Sequence, residues 1–211
     1  MKSLEFFKPN KNSKIRLFCF HHGGGSASTF YPWVTLLPVE VVAIQLPGRE
    51  TRYKEPLLES MKEVVPHILE DFKKYTEKPF VIFGHSVGAL IGFELVRSLR
   101  RLRLSLPLHL VMSGCKAPHL PLGRRSLHDL PTPKLISELT IYNGIPSEIL
   151  NGDPELLDLF FPIIRADFKI GAMVFGHIGD RYGRKKALLL SISLMSLSTI
   201  AIVSTVTTKA P

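Results

Sequence analysis

The chain has 211 residues, 45% hydrophobic and 9% aromatic, enough apolar material for one domain with a sizeable core, or one domain and a fragment. Its formal charge of +9 is spread along the whole length, so no stretch has the density of a nucleic-acid-binding arm. Residues 1–12 lack the apolar core of a signal peptide. Cys19 and Cys115 lack metal-ligand spacing and read as buried free thiols, which together suggest a cytoplasmic protein.

The first β-type run is residues 14–20 (KIRLFCF), and it ends at once in His21-His22-Gly23-Gly24-Gly25-Ser26. A second run, 39–46 (VEVVAIQL), is closed by Pro47-Gly48. Residues 60–75 have the apolar spacing of an amphipathic helix, with Pro66 early in it. Residues 80–83 (FVIF) predict a buried strand, followed by Gly84-His85-Ser86-Val87-Gly88 and then a helix beginning ALIGFELVRSLRRL. Residues 108–112 (LHLVM) predict another buried strand. Strand–helix–strand order with continuously apolar strands predicts a parallel sheet covered on both faces. From 116 to about 130 the chain is loop-like, and helices are expected near 132–143, 146–150 and 153–168. After Lys169 the character changes: 170–179 is apolar and Gly-rich, 180–186 reads DRYGRKK, and 187–206 carries no charge. A stretch of that length can just span a bilayer.

Gly84-x-Ser86-x-Gly88, between a buried strand and a helix, has the context of a nucleophile elbow. A sharp strand-to-helix turn strains the backbone at the serine, and bulky flanking residues would clash. The turn would hold the Ser86 hydroxyl above the sheet, at the start of a helix. There the backbone N–H of Val87 can stabilise an oxyanion. The glycine run after the first strand permits close backbone approach, and in this class of site it supplies the second oxyanion donor, here expected to be the N–H of Gly23.

The segments HHGGGSASTFYPW, LPGRETRYKEP and FGHSVGALIGFELVR, in that order, resemble the type II thioesterases of non-ribosomal peptide and polyketide assembly lines and the related medium-chain acyl carrier protein hydrolases. LTIYNGIPSEILNGDPELLDLFFPIIRADFKI resembles their lid and post-lid helices, so the likeness covers residues 1–169. It implies an α/β-hydrolase fold, a parallel sheet with helices on both faces and a helical lid at about 116–168. It also implies a serine hydrolase with no cofactor, cleaving acyl or aminoacyl thioesters on the phosphopantetheine arm of an acyl or peptidyl carrier protein, for editing or release. Carrier proteins are usually acidic. Arg97, Arg100, Arg101 and Arg103 could face one, or form a solvated helix face; Arg49 of LPGRE could hold a loop by ion pairing or sit on the surface.

A serine hydrolase of this class also needs an acid and then a histidine after the nucleophile. Neither is found. In the family they lie beyond the lid, and the likeness stops at about Lys169, before the last strands. His109 begins a predicted buried strand, His119 and His128 lack a suitable acid, and Asp167 and His177 are too close together. His85, common in the family motif, is not expected to be the base. Residues 176–186 (GHIGDRYGRKK) resemble the cytoplasmic loop between the second and third helices of major facilitator transporters. The expectation is therefore an incomplete thioesterase-like domain, 1–169, joined to a transporter-like fragment, 170–211, with an apolar helix at 187–206 that could associate with a membrane. Catalysis would be impaired. The alternatives are a competent enzyme with an unrecognised base, a non-catalytic carrier-binding or membrane-tethered module, and a non-functional gene-fusion product.

Overall fold

The structure is a computed structural model that describes residues 3–10, 12–117, 127–141 and 154–182. The described residues divide between two units, one within 1–115 and 124–173, the other within 116–123 and 174–211. The sheet and the candidate site belong to the first.

Five strands form one sheet: β1 (Leu4–Glu5), β2 (Arg16–Phe20), β3 (Glu40–Ile44), β4 (Phe80–His85) and β5 (His109–Ser113), in the spatial order β1-β3-β2-β4-β5. The four longer strands run parallel, with Phe18 opposite both Val42 and Ile82, and Phe83 opposite Val111. The expected all-parallel sheet is corrected at one edge. β1 pairs antiparallel with β3, Leu4 opposite Ile44, so the sheet is mixed. That two-residue strand is secured by its surroundings: the Ser3 N–H donates to Asp71 Oδ2 (2.9 Å) and the Gln45 N–H to the Ser3 carbonyl (2.9 Å).

Alternation along the strands divides the core between two faces. Phe18, Phe20, Val42, Ile44, Phe80 and Ile82 pack against the helices α2 (Met61–Phe72) and α3 (Val87–Arg101) through Val64, Ile68, Phe72, Ile91, Leu95 and Leu99. Cys19, Val41 and Ala43 form the opposite core with Ala27, Phe30 and Trp33, the last opening the short helix α1 (Trp33–Leu36). Pro66 sits in the second turn of α2, past the N-terminal residues whose N–H groups are free anyway, so it removes the N–H that would bond the Lys62 carbonyl. The Ser60 N–H before that helix donates to Glu63 Oε2 (3.1 Å), one half of a capping box.

Helices α4 (Thr132–Ile141) and α5 (Pro154–Tyr182) share a third apolar cluster of Leu135, Leu139, Phe161 and Ile164, at the expected lid position. Helix α5 passes through residues 168–171 without interruption, where a break in family character is expected. Residues 146–150, 183–186 and 187–206 lie outside the described residues, as does His119. Among the described residues no helix is long and apolar enough to cross a membrane.

Two burial expectations are corrected. Strand β5 is not buried: it is an edge strand with His109 exposed and Val111 45% exposed, and Leu102, Leu104, Leu106 and Leu108 beside it are exposed as well. Apolar content shows what a strand would bury; a neighbouring strand on its outer side is needed to bury it, and none is present among the described residues. Cys115, just past this edge, is only partly buried, whereas Cys19 in β2 is fully buried, and burial pushes its thiol up.

Candidate active site

Ser86 stands between the end of β4 and the first residue of α3, with φ 55° and ψ −120°. Side chains rarely adopt that backbone. It is held there on both sides: its N–H donates to the Ser113 carbonyl at the end of β5 (2.8 Å), and its carbonyl accepts the Ala89 N–H (3.1 Å). The two flanking glycines are obligatory. A Cβ on Gly84 would lie 2.5 Å from the Ala89 Cα and from the Gly88 carbonyl oxygen. One on Gly88 would lie 2.3 Å from the His21 carbonyl oxygen and 2.4 Å from that of Phe20. These obstacles are backbone, which cannot swing aside. The Ser86 side chain stays half-buried at the head of a fifteen-residue helix.

The glycine run lies beside this turn. A Cβ on Gly23 would meet Val87 Cγ1 at 3.9 Å, so the two expected oxyanion donors are neighbours. Gly23 itself has room for a side chain. It is Gly24 that must be glycine, with φ +77° and Ile164 Cγ1 2.9 Å from where its Cβ would be. The polar backbone groups around it are committed: the Gly24 N–H to Asp167 Oδ2 (2.8 Å), the Gly25 N–H to the His22 carbonyl (3.0 Å), the Gly25 carbonyl to Arg49 Nη1 (3.0 Å), and the Ala27 N–H to Gln45 Oε1 (2.8 Å). The Gly23 N–H makes no hydrogen bond among the described residues.

Arg49 and Asp167, whose roles sequence reasoning left open or discounted, form the buried anchor of this loop. Arg49 Nη1 and Nη2 donate to Asp167 Oδ2 and Oδ1 at 2.8 and 2.9 Å, and the two side chains are 4% and 0% exposed. Asp167 is therefore fully engaged, and not free to orient a histidine. The signal was an arginine after Pro47-Gly48 and an aspartate in a helix, 118 positions apart, which no local pattern joins.

No histidine hydrogen-bonds the Ser86 hydroxyl among the described residues. His85, exposed at the end of β4, places Nδ1 3.0 Å from Ser113 Oγ, and its ring fills the space beside Gly114. His22 lies with its ring centroid 6.1 Å from that of His85. Burial, and then the charge of His85, depress its pKa. His21 is buried, and its Nδ1 donates to the His22 carbonyl (2.8 Å), while Nε2 has no partner among the described residues. Burial, and then the charge of Arg49, lower its pKa to about 4, so it is neutral near pH 7. His67 contacts Arg52 (2.8 Å), and His128 lies 3.3 Å from Asp129. His177 lies on α5. On the expected basic face, Arg97 pairs with Glu94, and Arg100, Arg101 and Arg103 are exposed.

A strained serine after a parallel strand, between obligatory glycines and beside a glycine loop, is the arrangement of an α/β-hydrolase nucleophile. Comparison with known proteins gives the family. The family model described as "Thioesterase domain" matches residues 15–182, past the expected break at Lys169. The gramicidin S biosynthesis protein GrsT of Aneurinibacillus migulanus is 42% identical over 169 residues, 78% of this chain and 66% of that protein. Thioesterase PikA5 of Streptomyces venezuelae is 37% identical over 166 residues, 77% and 58% of the two chains. The solved type II thioesterase BorB from the borrelidin biosynthetic cluster superposes with a TM-score of 0.70 at 29% identity, covering 81% of this chain and 69% of its own. The chain thus spans just under two thirds, or less, of the length of these two curated relatives. With most of its length matched and the fold shared, it belongs to the thioesterase-domain family, on an α/β-hydrolase sheet.

Proposed function

We propose that the site takes acyl or aminoacyl thioesters carried on the phosphopantetheine arm of a carrier protein, with Ser86 as nucleophile and the N–H groups of Gly23 and Val87 as oxyanion donors. The observation that carries this reading is the strained Ser86 backbone between two glycines that tolerate no Cβ. The relatives support the substrate class: their names place them in gramicidin S biosynthesis and in the borrelidin cluster.

In the reaction, Ser86 Oγ would attack the thioester carbonyl, and the oxygen that gains charge would meet the two N–H donors. The C–S bond would break, the leaving thiolate taking a proton, and water would cleave the acyl-serine ester. A base must accept the hydroxyl proton in the first step. His85 is engaged with Ser113, Asp167 is locked by Arg49, and His21 is turned to a backbone carbonyl. With no histidine at the Ser86 hydroxyl among the described residues, Ser86-dependent turnover is expected to lie orders of magnitude below that of a complete triad. A carrier-binding role without catalysis is the second reading, favoured by the same lack of a histidine at the Ser86 hydroxyl among the described residues.

Hydrolysis of a medium-chain acyl thioester by the purified chain, beside Ser86→Ala, tests the proposal. Slow turnover that Ser86→Ala abolishes supports it. Equal rates in the two proteins refute catalysis by Ser86, and binding of an acylated carrier protein then decides the second reading.

A further inference from the structure

The buried pair Arg49–Asp167 does more than fill space. It grips the glycine loop at two successive residues, next to a Gly23 N–H that makes no hydrogen bond among the described residues. We propose that Arg49 and Asp167 are positioning residues that hold the oxyanion loop: Asp167 fixes the Gly24 N–H, Arg49 fixes the Gly25 carbonyl, and together they aim the Gly23 N–H into the site. This rests on the assignment of the Gly23 N–H as an oxyanion donor.

The geometry argues for this from three directions. First, Asp167 Oδ2 accepts both Arg49 Nη1 and the Gly24 N–H at 2.8 Å, so the atom that binds the arginine also binds the loop. Second, Arg49 is itself held from behind. Its carbonyl accepts Gln45 Nε2 (3.0 Å), and the Gln45 Oε1 takes the Ala27 N–H at the far end of the loop (2.8 Å). The side chains of Gln45, Arg49 and Asp167 therefore fix the loop from residue 24 to residue 27. Third, Gly24 has a left-handed backbone packed against Ile164, one turn before Asp167 on the same helix, so α5 shapes the loop by contact as well as by charge. A preorganised donor needs this kind of support, because an N–H that must first reorient loses much of its advantage in the transition state.

Removing one partner alone would leave a buried charge and endanger the fold. The informative variant is therefore the double Arg49→Met/Asp167→Leu, which removes both charges and keeps apolar volume. Asp167→Asn is the companion, read only if it folds because it strands the Arg49 charge; its amide oxygen can still accept the Gly24 N–H. Two readouts apply to the full chain. Amide hydrogen exchange should rise at Gly24 by about tenfold or more in the double variant, with exchange in α3 unchanged. Exchange in Asp167→Asn should lie between. Where native Ser86-dependent hydrolysis is measurable, kcat in the double variant should fall about a hundredfold with KM little changed. Unchanged exchange at Gly24 in a folded double variant overturns the anchoring. A hundredfold loss that appears in KM instead of kcat overturns the positioning role. If the native chain and Ser86→Ala hydrolyse equally, the catalytic reading fails separately, and exchange at Gly24 still decides whether the pair holds the loop.

Discussion

Gly88→Ala tests whether the elbow is as tight as its geometry indicates. The added methyl would face two carbonyl oxygens at 2.3 and 2.4 Å and the Phe20 carbonyl carbon at 2.7 Å. Ordinary carbon–oxygen contacts lie at about 3.3 Å or more. The end of β2 or the start of α3 must therefore yield by about 1 Å, and both belong to the packed core. Overpacking of this kind costs about 3 kcal/mol, and alanine returns up to about 1 kcal/mol in helix propensity, leaving a net loss of about 2 kcal/mol. Gly171→Ala is the matched control. Its Cβ would meet Val87 Cγ2 at 3.7 Å and Leu90 Cδ1 at 3.8 Å, normal contact distances in mid-helix, so it should stabilise by about 0.5–1 kcal/mol. Urea unfolding of the three proteins, read at the midpoint with the slope checked, separates the two by about 3 kcal/mol. A Gly88→Ala chain at least as stable as the native one would refute the steric argument for the elbow.

Ser86→Gly should stabilise the fold by about 1 kcal/mol while abolishing any Ser86-dependent hydrolysis, because glycine adopts the left-handed backbone freely; thermal unfolding and a thioester assay check both. His21 is neutral in the fold down to about pH 4, while in the unfolded chain it takes a proton below about pH 6.5, so its contribution to stability is lost as pH falls through that window, by about 3 kcal/mol. His21→Leu should flatten this part of the acid limb of the stability–pH curve, measured by urea unfolding from pH 7 to 4. Arg49→Met alone should cost about 3–5 kcal/mol by stranding the Asp167 charge, and adding Asp167→Leu should recover most of it, as a denaturant series on the single and double variants would show. Val111→Lys, at an exposed position on the open edge of the sheet, should raise the concentration at which the protein stays monodisperse in light scattering, with little change in unfolding midpoint.

Much of this fold is legible in local pattern. The apolar runs around β2, β3 and β4 are within two residues of the strands, because a covered strand leaves a continuous apolar signal; the run at β5 is as close, though that strand is exposed. Gly84, Ser86 and Gly88 are legible because a strained turn restricts residue type at fixed spacing. Strand β1 is not: two residues carry no period, and its pairing is decided by β3 and by Asp71. The exposure of His109 and Val111 is equally hidden, since a strand's apolar content says nothing of whether a neighbour covers it. The three consecutive glycines do not say which of them has the left-handed backbone; it is Gly24, packed against Ile164 on a helix far away in sequence.

The anchoring of residue 24 by residue 167 also orders events in time. On the ribosome the N-terminal part of a chain emerges first, at about 5–20 residues per second. Strands β1 to β5 and the serine turn lie within the first 113 residues and can pair as they appear. The glycine loop cannot be completed then, because the carboxylate that takes its N–H has yet to be synthesised, and the Arg49 guanidinium waits without its partner. Whatever pairs before then, the glycine loop takes its final form only when Ile164 and Asp167 of α5 arrive.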